Sequence, residues 1–217
     1  MLAVKISQRI SDYVQQIIRA SVKVEAIKTD NTREIGAGFF VSPNIIVTCA
    51  HVLGFTEQNP NPQISQVVIT TQDEARLPAK VIDYDPQLDI AVLYVEPQNS
   101  VKTFFLNLGN SGTIKEGEIV VTLGSPLGYT NSASYGIVSK RYANNNNYFL
   151  LDMRTNPGNS GGLVYSVDKQ AVIGVCVAVY NAADMQSEGI SVGIAIDAIK
   201  NMLKKNGVKF TYHEKTE

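Results

Sequence analysis

Ile6, Ile10, Val14 and Ile17 recur every three or four residues among polar neighbours, which predicts one amphipathic helix over residues 6–18. The period then changes. Val22, Val24 and Ala26 alternate with Lys23 and Glu25, the pattern of a half-buried strand. Short β-rich runs follow at 35–41, 45–49, 66–71, 79–82, 90–95, 118–123, 132–140, 148–151, 161–166, 171–179 and 190–195. With the first strand they make twelve, six on each side of residues 100–115. Turn formers such as Ser42-Pro43-Asn44, Asp85-Pro86 and Ser125-Pro126 separate them. Many short strands between turn signals predict an all-β barrel or sandwich. Asp197 is placed to cap a closing helix over about 197–206, with Lys204-Lys205 in its last turn and Gly207 after it. Asn144–Asn147 and residues 56–65 read as surface loops, and the polar tail beyond about residue 210 as frayed.

Composition narrows the function. The chain has 217 residues, enough for one large β domain or two packed lobes. Its 19 basic and 20 acidic side chains nearly cancel, which argues against a nucleic-acid face or a polybasic membrane anchor. Two cysteines cannot make a disulfide framework. The N-terminal apolar run stops at Lys5, too short for a signal peptide, and no run is long enough to span a bilayer. On these grounds a cytoplasmic location is expected.

The segment Asn156-Pro157-Gly158-Asn159-Ser160-Gly161-Gly162 carries the chemistry. Glycines around a serine allow a tight turn whose successive N–H groups converge on one point, as an oxyanion hole requires. A serine is a weak nucleophile without a base, and the base needs an orienting carboxylate. The chain has only two histidines, His51 and His213, and His213 lies in the polar tail. His51 follows the apolar run Ile45–Ala50, where a buried strand emerges. Asp89 stands at the entrance to another buried strand and is the natural third member; Asp83 and Asp85 lie beyond the turn at Pro86 and are weaker candidates.

With these residues in place, the chain resembles a chymotrypsin-fold serine peptidase, specifically the protease domain of the HtrA/Deg type. Gly36–Val41 with Ile46–Val52 matches the base-bearing segment, and Asp85–Leu93 the segment carrying the aspartate. Leu108–Ser111, Gly117 and Gly124–Gly128 match the opening of the second barrel, and Gly136–Ser139 the strand after it. Asp152 with Asn156–Gly162 matches the nucleophile loop, and Gly193–Ile196 the last strand. The resemblance implies two packed six-stranded antiparallel β-barrels within one peptidase domain over 1–217, with barrel one at about 21–98 and barrel two at about 115–196. It implies Ser160 as nucleophile, His51 as general base and then acid, Asp89 as orienting carboxylate, and the N–H groups of Gly158 and Ser160 as oxyanion hole. The strand Gly174–Val179 would pair with a polypeptide substrate, unfolded proteins among them, without cofactor or metal. The N-terminal helix is then either a lid on the barrels or a contact in a homo-oligomer such as a trimer.

Three departures from the family pattern matter. No PDZ domain is expected after the closing helix, Leu163 replaces the usual proline after Gly162, and Arg154 stands where a small residue is usual in the specificity pocket. An inward Arg154 favours acidic or polar residues before the scissile bond. An outward one leaves Thr155, Val177, Val179 and Ile194 around a small apolar pocket, the preferred reading because an unpaired buried guanidinium is costly. A second functional class also stands: a protease-fold peptide-binding or scaffold module whose oxyanion loop rests in a non-productive turn. Cys49 and Cys176 read as small buried residues. A zinc set of Cys49, His51, Cys176 and His213 lacks a usual zinc spacing. The 156–162 turn also suits an anion nest, but no phosphate-loop lysine accompanies it.

Overall fold

A computed structural model describes residues 2–99, 101–125, 131–141, 147–177 and 190–212, with side chains from residue 10 onward. Its strands are β1 (Ser21–Lys28), β2 (Arg33–Ser42), β3 (Ile45–Thr48), β4 (Ile64–Thr70), β5 (Arg76–Asp85), β6 (Ile90–Val95), β7 (Ile119–Gly124), β8 (Ser132–Arg141), β9 (Tyr148–Asp152), β10 (Leu163–Ser166), β11 (Ala171–Val177) and β12 (Ile190–Ala195). Helices α1 (Leu2–Ile17) and α2 (Ile196–Lys205) close the two ends. The strands form two closed antiparallel barrels, in the orders β1-β2-β3-β6-β5-β4 and β10-β11-β12-β9-β8-β7. Closure pairs each described strand with a neighbour on either side over most of its length.

Ile10, Val14 and Ile17 of the stripe expected on the first helix pack on the barrels together with Tyr13, with Ile17 fully buried and Tyr13 against Tyr165 at 5.8 Å; the Ile6 side chain lies outside the described ones. Barrel two has its own interior of Val120, Val138, Phe149, Leu151, Val164 and Ile173. Barrel one's core runs on into the faces of Val121, Leu123, Leu163 and Tyr165, so one apolar mass welds the two barrels together.

Several local expectations need correction. Asp197 is not the cap of α2. It lies inside the first turn, after Ala195, and its carboxylate accepts from Ser111 Oγ (2.7 Å), the Gly112 amide (3.2 Å) and Lys200 Nζ (2.8 Å). Burial pushes this carboxyl up, but Lys200 and Ser111 together outweigh burial and hold it below the ordinary carboxylate value. Glu25 alternates as a surface residue should, yet it is buried beneath Arg76 (3.1 Å), Lys23 (3.5 Å) and Arg33 (3.8 Å). β10 starts at Leu163, because Gly161 and Gly162 belong to the preceding turn.

Candidate active site

Strand register explains why residues 38 positions apart meet. β3 and β6 pair with Thr48 opposite Ala91, so the chain just beyond β3 faces the chain just before β6. There Ala50 N–H donates to Asp89 O at 3.2 Å. One 3-10 turn over His51–Leu53 then lifts the imidazole out of the barrel end, and Gly54 closes that turn at φ 84°. On the opposite side, β5 and β6 form a hairpin over residues 86–89. Asp85 Oδ1 caps it by accepting from the Gln87 (2.9 Å) and Leu88 (3.0 Å) amides. Asp85 therefore has a turn to hold, while Asp83 pairs with Asn206 (2.6 Å) and Lys205 (3.4 Å). Asp89 itself takes the left-handed region, φ 59°, which Asp tolerates better than most residues.

That conformation turns the Asp89 carboxylate onto His51 at two points. Oδ1 accepts the His51 backbone N–H at 2.9 Å, and Oδ2 stands 2.7 Å from His51 Nδ1. An ionised carboxylate only accepts, so Nδ1 carries the proton and Nε2 is the basic nitrogen. The imidazole is 39% exposed and Asp89 20%, so the ring reaches solvent and its partner is the more shielded of the two.

The loop that carries Ser160 is fastened to both barrels. Ser160 is buried, and its carbonyl accepts from Ala37 N–H of β2 at 2.8 Å. Gly161 N–H donates to Cys176 O (2.9 Å), and Cys176 N–H returns to Gly162 O (2.7 Å). Gly161 sits at φ 85°, and a Cβ there would lie 2.2 Å from Ala37 O and 2.4 Å from Thr48 Oγ1, so only glycine lets the loop lie against the strand leading to His51. Residues 156–159 form a β-turn closed by Asn159 N–H on Asn156 O at 2.9 Å. Gly158, third in that turn, has φ 102°, the mark of a type II turn, and Pro157 suits the second position. Ser125 N–H anchors Gly158 O at 2.8 Å.

Of the residues expected around the specificity pocket, Arg154 is exposed. Val177 and Ile194 are buried and Thr155 is half-buried; Val179 lies outside the described residues, as does His213. Sequence reasoning missed Ser191, a buried residue whose hydroxyl meets Thr155 Oγ1 at 2.6 Å and donates to Met153 O at 3.2 Å. Its signal was the alternation of small residues Ser191, Gly193 and Ala195 along one face of β12. The expected substrate-pairing stretch is shortened. Gly174 and Val175 are already paired on both sides, to β10 and β12, so among the described residues of this stretch Val177 is the one placed to take a further strand; residues 178–179 lie outside the described residues.

Cys49 and Cys176 are both free and buried. Burial first, and the nearby Asp89 next, push the Cys49 thiol well above its ordinary value; burial raises Cys176 to about 12. Ligand atoms of Cys49, His51 and Asp89 lie within 4.8 Å of one another. The 2.7 Å His51–Asp89 contact is a hydrogen bond and too short to hold an ion between them, since two ligands on one zinc stand roughly 3 Å or more apart.

A two-barrel fold with a carboxylate-oriented histidine, and a Gly-x-Ser-Gly loop clamped against the strand that leads to it, is the architecture of the trypsin-like peptidases. Residues 36–175 match the trypsin-like peptidase domain model, and the chain belongs to that family. Among individual proteins it is similar to a probable periplasmic DegP-like serine endoprotease of Pseudomonas putida (strain GB-1), 33% identical over 190 residues that cover 82% of this chain and 37% of that protein. A protein of the same name from Chlamydia pneumoniae is 34% identical over 173 residues, covering 76% and 32%. The HtrA-type protease AlgW, solved with a tripeptide as a serine-to-alanine variant, shares the fold at a TM-score of 0.73 with 22% identity, covering 90% of this chain and 62% of that one. The chain thus spans about a third of the length of the curated relatives it matches. Those relatives are named periplasmic, which overturns the cytoplasmic expectation. That expectation rested on a short N-terminal apolar run, which says nothing when a chain matches only part of longer proteins. No described helix is long and apolar enough to cross a membrane.

Proposed function

We propose that this chain is a serine endopeptidase acting on polypeptides by acyl transfer. Ser160 attacks the scissile carbonyl while His51 Nε2 takes its proton. The Asp89 carboxylate holds the ring through Nδ1–H and stabilises the imidazolium, which then protonates the leaving amine. Water, activated by the same nitrogen, hydrolyses the acyl-enzyme. The Gly158 and Ser160 amides stabilise the tetrahedral oxyanion. The observation that carries the reading is the two-point grip of Asp89 on His51, which selects the tautomer a general base needs.

The type II turn at 156–159 supports a competent loop. Types I and II differ by a flip of the middle peptide, here Pro157–Gly158, and in our reading the type II form sets the Gly158 N–H beside that of Ser160. The HtrA/Deg likeness supports unfolded or misfolded polypeptides as substrates and a place in protein quality control. The test is labelling of the full chain with a fluorophosphonate, with Ser160→Ala as control. Stoichiometric label on the wild type, absent from the variant, is expected. A folded, concentrated wild type that takes no label in any buffer or temperature overturns the reading in favour of a binding module.

A further inference from the structure

The proposed mechanism leaves one nucleophilic group beside the triad without a task. Cys49 follows β3, two residues before His51, and its side chain is fully buried. Its sulfur lies within 4.8 Å of the ligand atoms of both Asp89 and His51, and 3.6 Å from Cys176 O. Asp89 uses Oδ1 for the His51 amide and Oδ2 for the ring, yet a carboxylate has about four lone-pair sites. In this structure the S–H proton is directed to Cys176 O, and the Asp89 carboxylate, within 4.8 Å of the sulfur, is the competing acceptor. Cys176 O is neutral and already serves Gly161 N–H at 2.9 Å, whereas the carboxylate is charged and the stronger acceptor.

We propose that Cys49 is a positioning residue whose thiol donates to the Asp89 carboxylate from the side away from solvent and so tempers the pull of Asp89 on His51. This inference rests on the triad reading above. Burial keeps the thiol protonated, hence a donor and not a second anion beside Asp89. Other titratable groups around the pair have partners of their own. Asp85 caps the 86–89 turn, the Tyr84 hydroxyl donates to Pro60 O, the Tyr148 hydroxyl donates to Gln87 O, and Cys176 packs in the barrel-two core. A donor on the carboxylate draws off part of its charge. Removing it strengthens the attraction for a protonated imidazole, so the acid limb of the pH–rate profile moves to higher pH.

The experiment follows the fluorophosphonate inactivation rate of the full chain against pH for wild type, Cys49→Ala, Cys49→Val, Cys49→Ser and Cys176→Ala. A weak S–H···O bond predicts a rise of about half a pH unit in the acid-limb midpoint for the Ala and Val variants. Valine fills the site without a proton to donate, so it reports even where alanine fails to fold. Serine, which keeps a donor, brings the midpoint back toward wild type, and Cys176→Ala leaves it in place. Ala and Val midpoints equal to wild type overturn the inference, whether or not the plateau rate falls, because a purely structural role lowers the plateau alone. A wild type that takes no label sinks the proposed function itself, an outcome distinct from a labelled wild type with unmoved midpoints.

Discussion

Asp89→Asn separates chemistry from fold more cleanly than any other change at this site. Asparagine keeps an Oδ1 to accept the His51 backbone N–H, now at 2.9 Å, and it tolerates the left-handed φ of 59° as aspartate does. The hairpin over 86–89 and its Asp85 cap are untouched. The amide NH₂, however, replaces Oδ2 opposite Nδ1. That position becomes a donor, so Nδ1 must accept and the ring proton moves to Nε2. The nitrogen facing the nucleophile is then no longer a base. Loss of the correct tautomer in a Ser-His-Asp triad lowers the rate by about 10⁴, or roughly 5 kcal/mol of transition-state stabilisation. The assay pairs the rate of fluorophosphonate inactivation with the thermal midpoint. The rate falls by about that factor while the midpoint stays near wild type. Inactivation within about tenfold of wild type would refute the role given to Asp89. A collapse of the midpoint would refute the claim that asparagine fits the turn. Alanine tests the second point from the other side: it loses the side-chain bonds while holding a left-handed backbone that costs it about 1–2 kcal/mol, so its midpoint falls.

Gly161→Ala pays the same left-handed penalty and also drives a Cβ to 2.2 Å from Ala37 O, so denaturant unfolding shows a loss beyond about 1–2 kcal/mol; an unchanged midpoint would mean the loop is not clamped to β2. Asp197, whose carboxyl is held below its ordinary value of 3.8, contributes stability that is present above that value and lost as pH falls through the lower folded value. Asp197→Asn is accordingly less stable than wild type at neutral pH, and thermal melts converge in strong acid; a gap that widens in acid would reverse the assigned sign. Arg154→Ala, because the residue is exposed, leaves cleavage of peptides with small apolar residues before the scissile bond nearly unchanged, as kcat/KM on a matched peptide series reports. A selective loss on acidic residues would place the guanidinium in the pocket.

The strands were legible because each is a run of β-branched residues bounded by turn formers, and that signal is local. β5 is longer than its apolar stretch suggests, since Arg76, Lys80 and Asp83 face solvent or distant partners while the ladder to β6 continues. Glu25 reads as a solvated strand residue because its covering arginines come from β2 and β5, at sequence separations that no periodicity records. Asp197 reads as a helix cap because the Ser111 hydroxyl that it meets stands 86 residues earlier. At the site, His51, Asp89 and Ser160 stood out through their immediate neighbours. Ser191 and the thiol of Cys49 did not, since each matters only through a residue brought to it by barrel closure.

The same closure shows how the site divides into parts that depend on different things. The His51–Asp89 pair is held by the β3–β6 register and by the 86–89 hairpin, all within barrel one. Ser160 comes from barrel two but hangs on β2 through its own carbonyl, and Gly161 lies against Ala37 and Thr48, so the Ser160 loop is seated on the strands that lead to His51. The oxyanion turn depends on neither. Its closing bond, Asn159 N–H to Asn156 O, is common to turn types I and II, and Ser125 fixes only the carbonyl that follows Gly158. What distinguishes the two turn types is the middle peptide, read here from the φ of Gly158, a residue for which either sign costs little. Under the proposed mechanism, flipping that one peptide takes the Gly158 N–H out of the oxyanion hole and leaves the His51–Asp89 contacts in place.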